Sequence, residues 1–413
     1  MENMTRLERI QSDIEALAQF NATPGEGLTR LTYTPEHAAA AEYIRGRMLD
    51  AGLEVRVDAV GNIVGRLEGA EPSLPAVMLG SHFDSVRHGG NFDGQAGVAA
   101  ALETARAIRD LGFKPRRPME FIAMIEEEGS RFGAGMFGSR AIAGTASRVA
   151  LDSNCDDSGV SMAQAMRDFG LDPDRLGEAA RSGKEIAYFL EMHIEQGPVL
   201  VNSGTQLGIV EAIVGLRSLE VTVTGRADHA GTTPMDMRAD ALVAAAKLIT
   251  RLNELAVEEG HATVATVGKL SLLPGSSNIV PAQVNFTVDI SSPEGGCVSA
   301  VEKAFREYVE SVAREGALEA EVRTMVSMEP VKLDGHVREM LATKAEECGL
   351  THMDMPSGAG HDAMMIAGIT KVGMLFVPSR GGRSHCPEEW TDYDKLRDGA
   401  EVIARTAMEL AME

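Results

Sequence analysis

Apolar residues follow two different spacings along this chain, and the changes of spacing divide it into three stretches. In residues 1–211, short apolar runs of strand length alternate with segments that carry apolar residues at every third or fourth position. The second spacing is that of amphipathic helices. Strands are predicted at 54–57, 62–67, 76–79, 119–125 and 189–193, and helices at 6–19, 35–51 and 97–111. Strands that alternate with helices predict an α/β sheet flanked by helices.

The middle stretch, residues 212–328, has a different order of elements. A strand at 218–224, a helix at 239–258, strands at 263–270 and 283–289, a helix at 293–315 and a strand at 319–326 follow one another. This β-α-β-β-α-β order is typical of a ferredoxin-like α+β unit. From 329 onwards the α/β pattern returns. We therefore predict a discontinuous main domain, 1–211 plus 329–413, with a smaller domain inserted at 212–328.

Charge and composition narrow the classes of partner. The chain has 39 basic and 61 acidic residues, a net charge of −22, so phosphate backbones and anionic lipids are repelled. No nucleic-acid or membrane partner is expected, since apolar runs also fall short of the ~18 residues of a membrane span. The N-terminal stretch has no apolar core of a leader, and the four cysteines form no CxxC pair. We expect a reducing, cytoplasmic setting.

Polar residues with metal-binding chemistry occur where predicted strands end. His82 and Asp84 follow the apolar run that begins at residue 76, and Asp93 lies in the next loop, before a helix. Imidazole and carboxylate are ordinary metal ligands, and open α/β sheets bind ligands at the carboxyl ends of their strands. Asp84 is close enough in sequence to orient the His82 ring. The alternative is a solvated loop with a glycine-rich turn.

Three further strand ends carry candidates. Glu126, Glu127 and Glu128 end the run at 119–125, where neighbouring carboxylates repel one another unless a cation is present. His193 ends the next run, and His385 lies in a loop after the strand predicted at 372–376. Separately, these are an acidic helix start, a structural histidine and a surface loop. Together, at strand ends of one predicted sheet, they favour a shared site for more than one metal ion.

The wording and order of these motifs resemble the M20 metallopeptidase superfamily. The resemblance is specifically to its amidohydrolase branch, the N-carbamoyl-L-amino acid hydrolases and allantoate amidohydrolases. The motifs, in chain order, are GSHxDS, NxDGxxGV, EEGxRF, HIEQGP, ADHAGTTPM, PSGAGHDA and SRGGxSHxPxE. The family implies an M20-type catalytic domain, a mixed sheet flanked by helices, with an inserted ferredoxin-like dimerisation and lid domain. It also implies a homodimer and two divalent metal ions per subunit, zinc first, with manganese, cobalt or nickel as alternatives.

The resemblance assigns roles to residues of this chain. It implies that the metal ligands are His82, Asp93, Glu128, His193 and His385, with Asp93 bridging the two ions. The catalytic residues that it implies are Glu127 as general base, Asp84 as the residue that orients His82, and His229 as a donor to the oxyanion. The positions that match substrate contacts are Gln196, Asn278, Gly360 and His361.

The chain departs from the family at one position. Ser291 stands where the family has an arginine that clamps the substrate carboxylate, and a serine makes no bidentate charged contact. Arg217 and Arg383 are candidate replacements for this contact. Alternatively, both are structural salt-bridge residues and the substrate lacks an α-carboxylate.

The expected function is therefore metal-dependent hydrolysis of a non-peptide C–N bond in a small ureido or amide compound. An N-carbamoyl-L-amino acid is the first candidate substrate. The alternatives are an allantoate amidohydrolase, an M20 deacylase of N-acyl amino acids or conjugates, and an exopeptidase. A catalytically inactive binding protein is disfavoured, because the implied ligands and the implied base are all present.

Overall fold

The computed structural model describes residues 3–133 and 135–413. Internal contacts divide the chain into two compact units. The main unit holds the chain up to Glu211, Leu333–Met355 and His361–Glu413, and the second unit, called the insert below, holds Ala212–Lys332 and Pro356–Gly360. The chain returns to the main unit after Lys332 rather than after 328, because Val331–Lys332 pairs with Ile213 and Ala212. Whether the predicted 1–211, 212–328 and 329–413 segments fold as domains stays a prediction.

The described residues form fourteen strands and twelve α-helices. The strands are β1 (Glu54–Val57), β2 (Ile63–Leu67), β3 (Ala76–His82), β4 (Met119–Met124), β5 (Ile186–Ile194), β6 (Leu207–Ile213), β7 (Gly215–Thr224), β8 (Val264–Thr266), β9 (Leu270–Leu273), β10 (Gln283–Ser292), β11 (Glu319–Met328), β12 (Val331–Lys332), β13 (His352–Ser357) and β14 (Lys371–Val377). The helices are α1 (Leu7–Leu17), α2 (Pro35–Asp50), α3 (Gln95–Leu111), α4 (Phe137–Ile142), α5 (Arg148–Ser153), α6 (Met162–Asp168), α7 (Val199–Ser203), α8 (Ala241–Glu259), α9 (Gly295–Glu315), α10 (Gly335–Glu347), α11 (Asp362–Ile366) and α12 (Tyr393–Leu410).

The main unit is built on a mixed sheet with strand order β1-β2-β4-β3-β5-β14-β6. The central strands β4, β3, β5 and β14 run parallel, and the outer pairs are antiparallel. Every residue of β3 and β4 is buried, as expected for parallel strands covered on both faces. Helix α3 is buried along most of its length. The predicted α/β class, a mixed sheet flanked by helices, is confirmed.

Local sequence explains where two of these helices begin and end. The Thr34 side chain accepts a hydrogen bond from the His37 N–H, and Pro35 occupies the first turn of α2, as predicted for a cap followed by proline. Helix α3 ends at Gly112, which adopts the left-handed conformation (φ 62°) that glycine tolerates. The short helices α4 to α6 and strands β6 and β13 had no strong periodicity and were not predicted.

The insert is an antiparallel sheet with two helices. Its strand order is β11-β7-β10-β8, with β9 also paired to β10, and its elements follow one another as β-α-β-β-α-β. Alternate residues of β7 and β10 are buried, and they share an apolar core with one face of α8 and of α9. Among the described residues of the whole chain, no helix is both long and apolar enough to cross a bilayer.

One predicted strand of the insert is wrong in its continuity. The run 263–270 was predicted as a single strand, but the structure has two short strands, β8 and β9, with residues 267–269 between them. Gly268 lies in this break, and glycine inside a strand weakens it. Both pieces pair with the same partner, β10, so the sheet keeps its order.

Candidate metal centre and active site

The candidate site of the main unit lies where four parallel strands end at the same edge of the sheet. His82 is the last residue of β3, Glu126 to Glu128 follow β4, and His193 lies near the end of β5. His385 lies in the loop after β14. Because these strands are neighbours in the order β4-β3-β5-β14, their carboxyl ends bring the side chains together.

Asp93 is at the centre of this group, and its two carboxylate oxygens face different partners. Oδ1 lies 3.3 Å from His82 Nε2 and 3.1 Å from His193 Nε2. Oδ2 lies 3.2 Å from His385 Nε2, which is also 3.4 Å from Glu128 Oε2. The result is two adjoining groups of ligand atoms, His82–Asp93–His193 and Asp93–Glu128–His385, that share one carboxylate.

The histidine tautomers favour metal binding. His82 Nδ1 lies 3.2 Å from the main-chain oxygen of Asp84, and His193 Nδ1 lies 2.9 Å from that of Ile194. A carbonyl oxygen only accepts, so both rings donate through Nδ1 and direct the Nε2 lone pair at Asp93. A lone pair facing a carboxylate requires a proton or a cation between them. Burial lowers the pKa of His82, but hydrogen bonds to Asp84 and Asp93 outweigh it and raise that pKa well above its ordinary value.

Asp84 connects two strand ends. Its Oδ1 lies 3.6 Å from His82 Nδ1 and accepts a hydrogen bond from the Glu127 N–H (3.1 Å), while Oδ2 accepts one from the Glu128 N–H (3.2 Å). Its side chain is 1% exposed, so these bonds replace its hydration. The structure therefore brings Asp84 to His82, as predicted. It adds a contact that the sequence did not indicate, between Asp84 and the segment that carries Glu127 and Glu128.

Only two of the three consecutive glutamates approach the candidate ligands. Glu126 adopts a left-handed conformation (φ 50°), and its carboxylate accepts a hydrogen bond from the Phe132 N–H (3.1 Å). Glu127 Oε2 lies 3.9 Å from His82 Nε2, and Glu128 belongs to the second ligand group. The strained backbone at Glu126 separates its side chain from those of its two successors.

The donor set fits divalent cations. Glu128 Oε1 is buried and has no hydrogen-bond partner. Burial, followed by the charge of Asp93, raises the pKa of Glu128 to about 8, and burial is also the main cause that raises the pKa of Glu127 well above its ordinary value. Buried carboxylates beside imidazole lone pairs gain most from a cation, which neutralises them and takes the free oxygen as a ligand.

Two residues that sequence reasoning missed support Asp93. Ser384 Oγ lies 3.0 Å from Asp93 Oδ2 and donates to Glu389 Oε2 at 2.7 Å. Glu389 Oε1 accepts hydrogen bonds from the N–H groups of Phe92 and Asp93. A side chain at Gly90 would displace Glu389, since its Cβ would lie 2.2 Å from Oε1. Both residues belong to the quoted motif SRGGxSHxPxE, which was the available signal.

Two predicted substrate residues of the main unit lie against the metal-ligand candidates. Gln196 has a left-handed backbone (φ 59°), and its Nε2 donates to Asp93 Oδ2 at 2.7 Å. His361 is buried, and its ring meets the His193 ring edge to face with centroids 4.5 Å apart. Burial lowers the pKa of His361 well below its ordinary value, so the ring is neutral. Gly360 precedes it in the chain.

Arg383, in contrast, is not brought to these ligands by any recorded contact. It lies two residues before His385, with about half of its side chain exposed, and pairs with exposed Glu388 at 3.0 Å. The structure thus places it in a surface ion pair, the alternative considered above.

The insert carries its own pair of candidate residues. His229 and Ile279 form an isolated antiparallel bridge, and the Ala230 N–H donates to the main-chain oxygen of Asn278. His229 is exposed, and its Nδ1 accepts hydrogen bonds from the N–H groups of Gly231 (3.0 Å) and Thr232 (3.2 Å). An Nδ1 that accepts leaves the proton on Nε2, so the ring presents an N–H donor outwards. The sequence did not indicate this tautomer.

Arg217 and Ser291 lie on opposite faces of the insert sheet. Arg217 pairs with Ile290 in the register, so it shares the face of the buried residues and contacts Glu302 of α9 at 2.8 Å. Ser291 lies on the other face, opposite Leu216 and Val264. Within the sheet, Arg217 therefore does not reach the position that Ser291 occupies, because successive residues of a strand point to opposite sides.

Comparison with known proteins identifies the class. Residues 78–409 match the model of Peptidase family M20/M25/M40, and the chain belongs to this family. It is 51% identical to an N-carbamoyl-L-amino-acid amidohydrolase of Paenarthrobacter aurescens over 96% of each chain. It is 40% identical to the N-carbamoyl-L-amino acid amidohydrolase of Geobacillus stearothermophilus over 99% of each.

A solved structure agrees with these relatives. An amidase of the hydantoinase/carbamoylase family from Burkholderia multivorans matches with a TM-score of 0.93 and 32% identity, over 99% of this chain and 98% of that one. The predicted family and its amidohydrolase branch are confirmed. Membership of the family, together with the His–Asp cluster, indicates the use of divalent metal.

Proposed function

We propose that this protein is a binuclear metal amidohydrolase that cleaves a non-peptide C–N bond, with an N-carbamoyl-L-amino acid as substrate. The observation that carries the proposal is the division of Asp93 between two ligand groups. A shared carboxylate is the expected link in a two-metal site, and the imidazole and carboxylate donors suit zinc, while manganese, cobalt and nickel also accept them. The names of the relatives support the substrate class.

In this proposal, His82, Asp93 and His193 would hold one metal ion, and Asp93, Glu128 and His385 the other. Bound there, a pair of divalent cations supplies Lewis acidity, which polarises a carbonyl and lowers the pKa of water. Glu127 lies beside this group without belonging to either ligand set. It is therefore the proposed general base.

The residues of the chain move the protons. Glu127 takes a proton from the attacking water as its oxygen adds to the ureido carbonyl carbon, and gives it to the amino nitrogen as the C–N bond breaks. The amino acid leaves, and the carbamate breaks down to carbon dioxide and ammonia. Asp84 holds the His82 ring and the backbone of Glu127 in one arrangement, so the base and a ligand keep their relative position.

We also propose that His229 donates its Nε2–H to the oxyanion and that Asn278, Gln196, Gly360 and His361 contact the substrate. The proton on Nε2 and the exposure of the ring support the role of His229. Following the family pattern, His229 acts at the site of a partner subunit, in a homodimer that forms through the insert. The outermost strand, β11, supports this assembly, because it leaves Met325 and Val326 exposed.

A second candidate substrate is a ureido or amide compound without an α-carboxylate. Ser291 favours it, because the neighbours of Ser291 on its face of the sheet are Leu216, Val264 and, two residues away, Asp289. An acidic and apolar surface does not attract a carboxylate. For the setting, we propose a reducing cytoplasm, which the four unpaired cysteines support.

The test measures which bond is cleaved. Metal-loaded protein is assayed for ammonia release from N-carbamoyl amino acids, allantoate and ureidopropionate, and for amine release from N-acetyl amino acids and dipeptides. Ammonia from carbamoyl compounds supports the proposal, whereas amine release from acyl or peptide substrates alone would contradict it. Ser291→Arg is assayed in parallel. We expect it to raise kcat/KM for N-carbamoyl α-amino acids, and no change would favour the substrate without an α-carboxylate.

A further inference from the structure

A cluster of potential metal ligands outside the main-unit site lies in the insert, where α8 ends and α9 begins. It consists of Glu259, His261 and Cys297. Glu259 is the last residue of α8, His261 follows two residues later, and Cys297 lies in the first turn of α9. Their ligand atoms lie within 4.8 Å of one another. The grouping is therefore as close as the two groups around Asp93.

The three side chains differ in exposure in a way that suits a ligand arriving from solvent. Cys297 is buried, Glu259 is half-buried and His261 is exposed. The thiol thus forms the floor of the cluster and the imidazole its rim. Thiolate, imidazole and carboxylate are three ligand types that zinc accepts, with a fourth position left for water.

The tautomer of His261 is the one that metal-binding histidines adopt. Its Nδ1 lies 3.0 Å from the main-chain oxygen of Glu259, to which it can only donate. The lone pair is therefore on Nε2, and the ring is held by a backbone carbonyl, as the rings of His82 and His193 are. His261 and Ala262 both have positive φ (50° and 54°), which is unusual for consecutive residues other than glycine and turns the chain back between the two helices.

We propose that Glu259, His261 and Cys297 form a separate binding site for a thiophilic divalent cation such as zinc. The site holds the end of α8 against the start of α9. It differs from the main-unit site by its sulfur ligand, since all candidate ligands around Asp93 are nitrogen or oxygen donors. Binding replaces the thiol proton, which is released to solvent, so it strengthens as pH rises.

Cobalt absorption tests this site independently of activity. Cobalt(II) bound to a thiolate gives an intense near-ultraviolet sulfur-to-metal charge-transfer band, which nitrogen and oxygen ligands alone do not give. The full-length protein loaded with cobalt is expected to show the band. Cys297→Ser is expected to lose it and to bind one metal equivalent less, while its hydrolytic activity stays unchanged because Cys297 is outside the proposed catalytic machinery.

The matched control is Cys386→Ser. Cys386 adjoins His385, so it is the thiol that a metal in the main-unit site would meet, and the proposal expects its removal to leave the band intact. A wild-type spectrum without the band would overturn the proposal, and so would a band that persists in Cys297→Ser.

Thiol labelling of the wild-type protein gives a second readout that needs no variant. Zinc is expected to slow the alkylation of Cys297 at least tenfold, read by peptide mass mapping, while exposed Cys155 reacts at an unchanged rate as internal reference. Equal rates for Cys297 with and without zinc would overturn the proposal. Neither measurement depends on hydrolysis, so their failure leaves the proposed function standing, and the reverse also holds.

Discussion

The histidines of the main unit and the histidine of the insert are held in contrasting ways. His82 and His193 are about 1% exposed and are fixed by a parallel sheet, by carbonyl acceptors and by Asp93. His229 is exposed and is fixed by two N–H groups of its own turn. The main-unit rings direct lone pairs inwards, where a cation fits, whereas the ring of the insert directs a proton outwards, where a developing negative charge would fit.

This difference separates metal binding from transition-state stabilisation. Changes among the buried residues should affect metal content first and activity as a consequence. Changes in the turn of the insert should affect activity alone. Measuring bound metal beside kcat therefore sharpens or breaks the comparison, and four substitutions do so with decreasing expected effect.

The largest effect is expected from Asp93→Asn. The amide keeps the shape of the side chain but supplies one neutral oxygen, so it cannot serve both ligand groups. We expect loss of metal from both groups and activity at background, measured by elemental analysis after dialysis and by ammonia release. Retention of the wild-type metal content would contradict the bridging role.

Glu127→Gln should abolish turnover while metal remains. Glutamine cannot accept the proton, and loss of a general base costs about 10²–10⁴-fold in rate. The metal content should equal that of wild type, which makes this variant the complement of Asp93→Asn. Activity within tenfold of wild type would rule out Glu127 as the base.

His229→Ala should lower kcat by roughly 10²–10³-fold, the typical cost of removing one oxyanion donor. Metal content and KM should change little, because the ring is not among the candidate ligands. His229→Gln, which keeps an N–H donor, should recover part of the rate. If the alanine variant lost metal in proportion to its activity, the contrast between the two regions would be wrong.

The smallest effect is expected from Ser384→Ala. It removes the hydroxyl between Asp93 and Glu389, and loss of such a support typically costs about 10–100-fold in metal affinity. Competition with a chelator measures that affinity, and added metal should restore activity. Arg380→Ala, in the same loop but paired with Asp392, is the matched control and should leave the affinity unchanged.

Much of the fold and of the site could be predicted from the chain. The parallel strands are continuous apolar runs, and the fact that such strands end at one edge was enough to group His82, Glu128, His193 and His385 before any coordinates. The predicted strand 263–270 failed because periodicity does not register the break that Gly268 introduces. Ser384 and Glu389 were not predicted because their role consists of contacts with Asp93, almost three hundred residues away.

Local chemistry therefore determines the strands, the capped helix at Thr34, the candidate ligands and the family, since each depends on residues close together in sequence. Only the tertiary structure decides how the oxygens of Asp93 are shared, which of the three consecutive glutamates meets the ligands, and which nitrogen of His229 carries the proton. It also decides that Arg217 lies on the opposite side of the insert sheet from Ser291. These properties depend on strand register and on hydrogen bonds between distant segments, which the order of residues does not show without the fold.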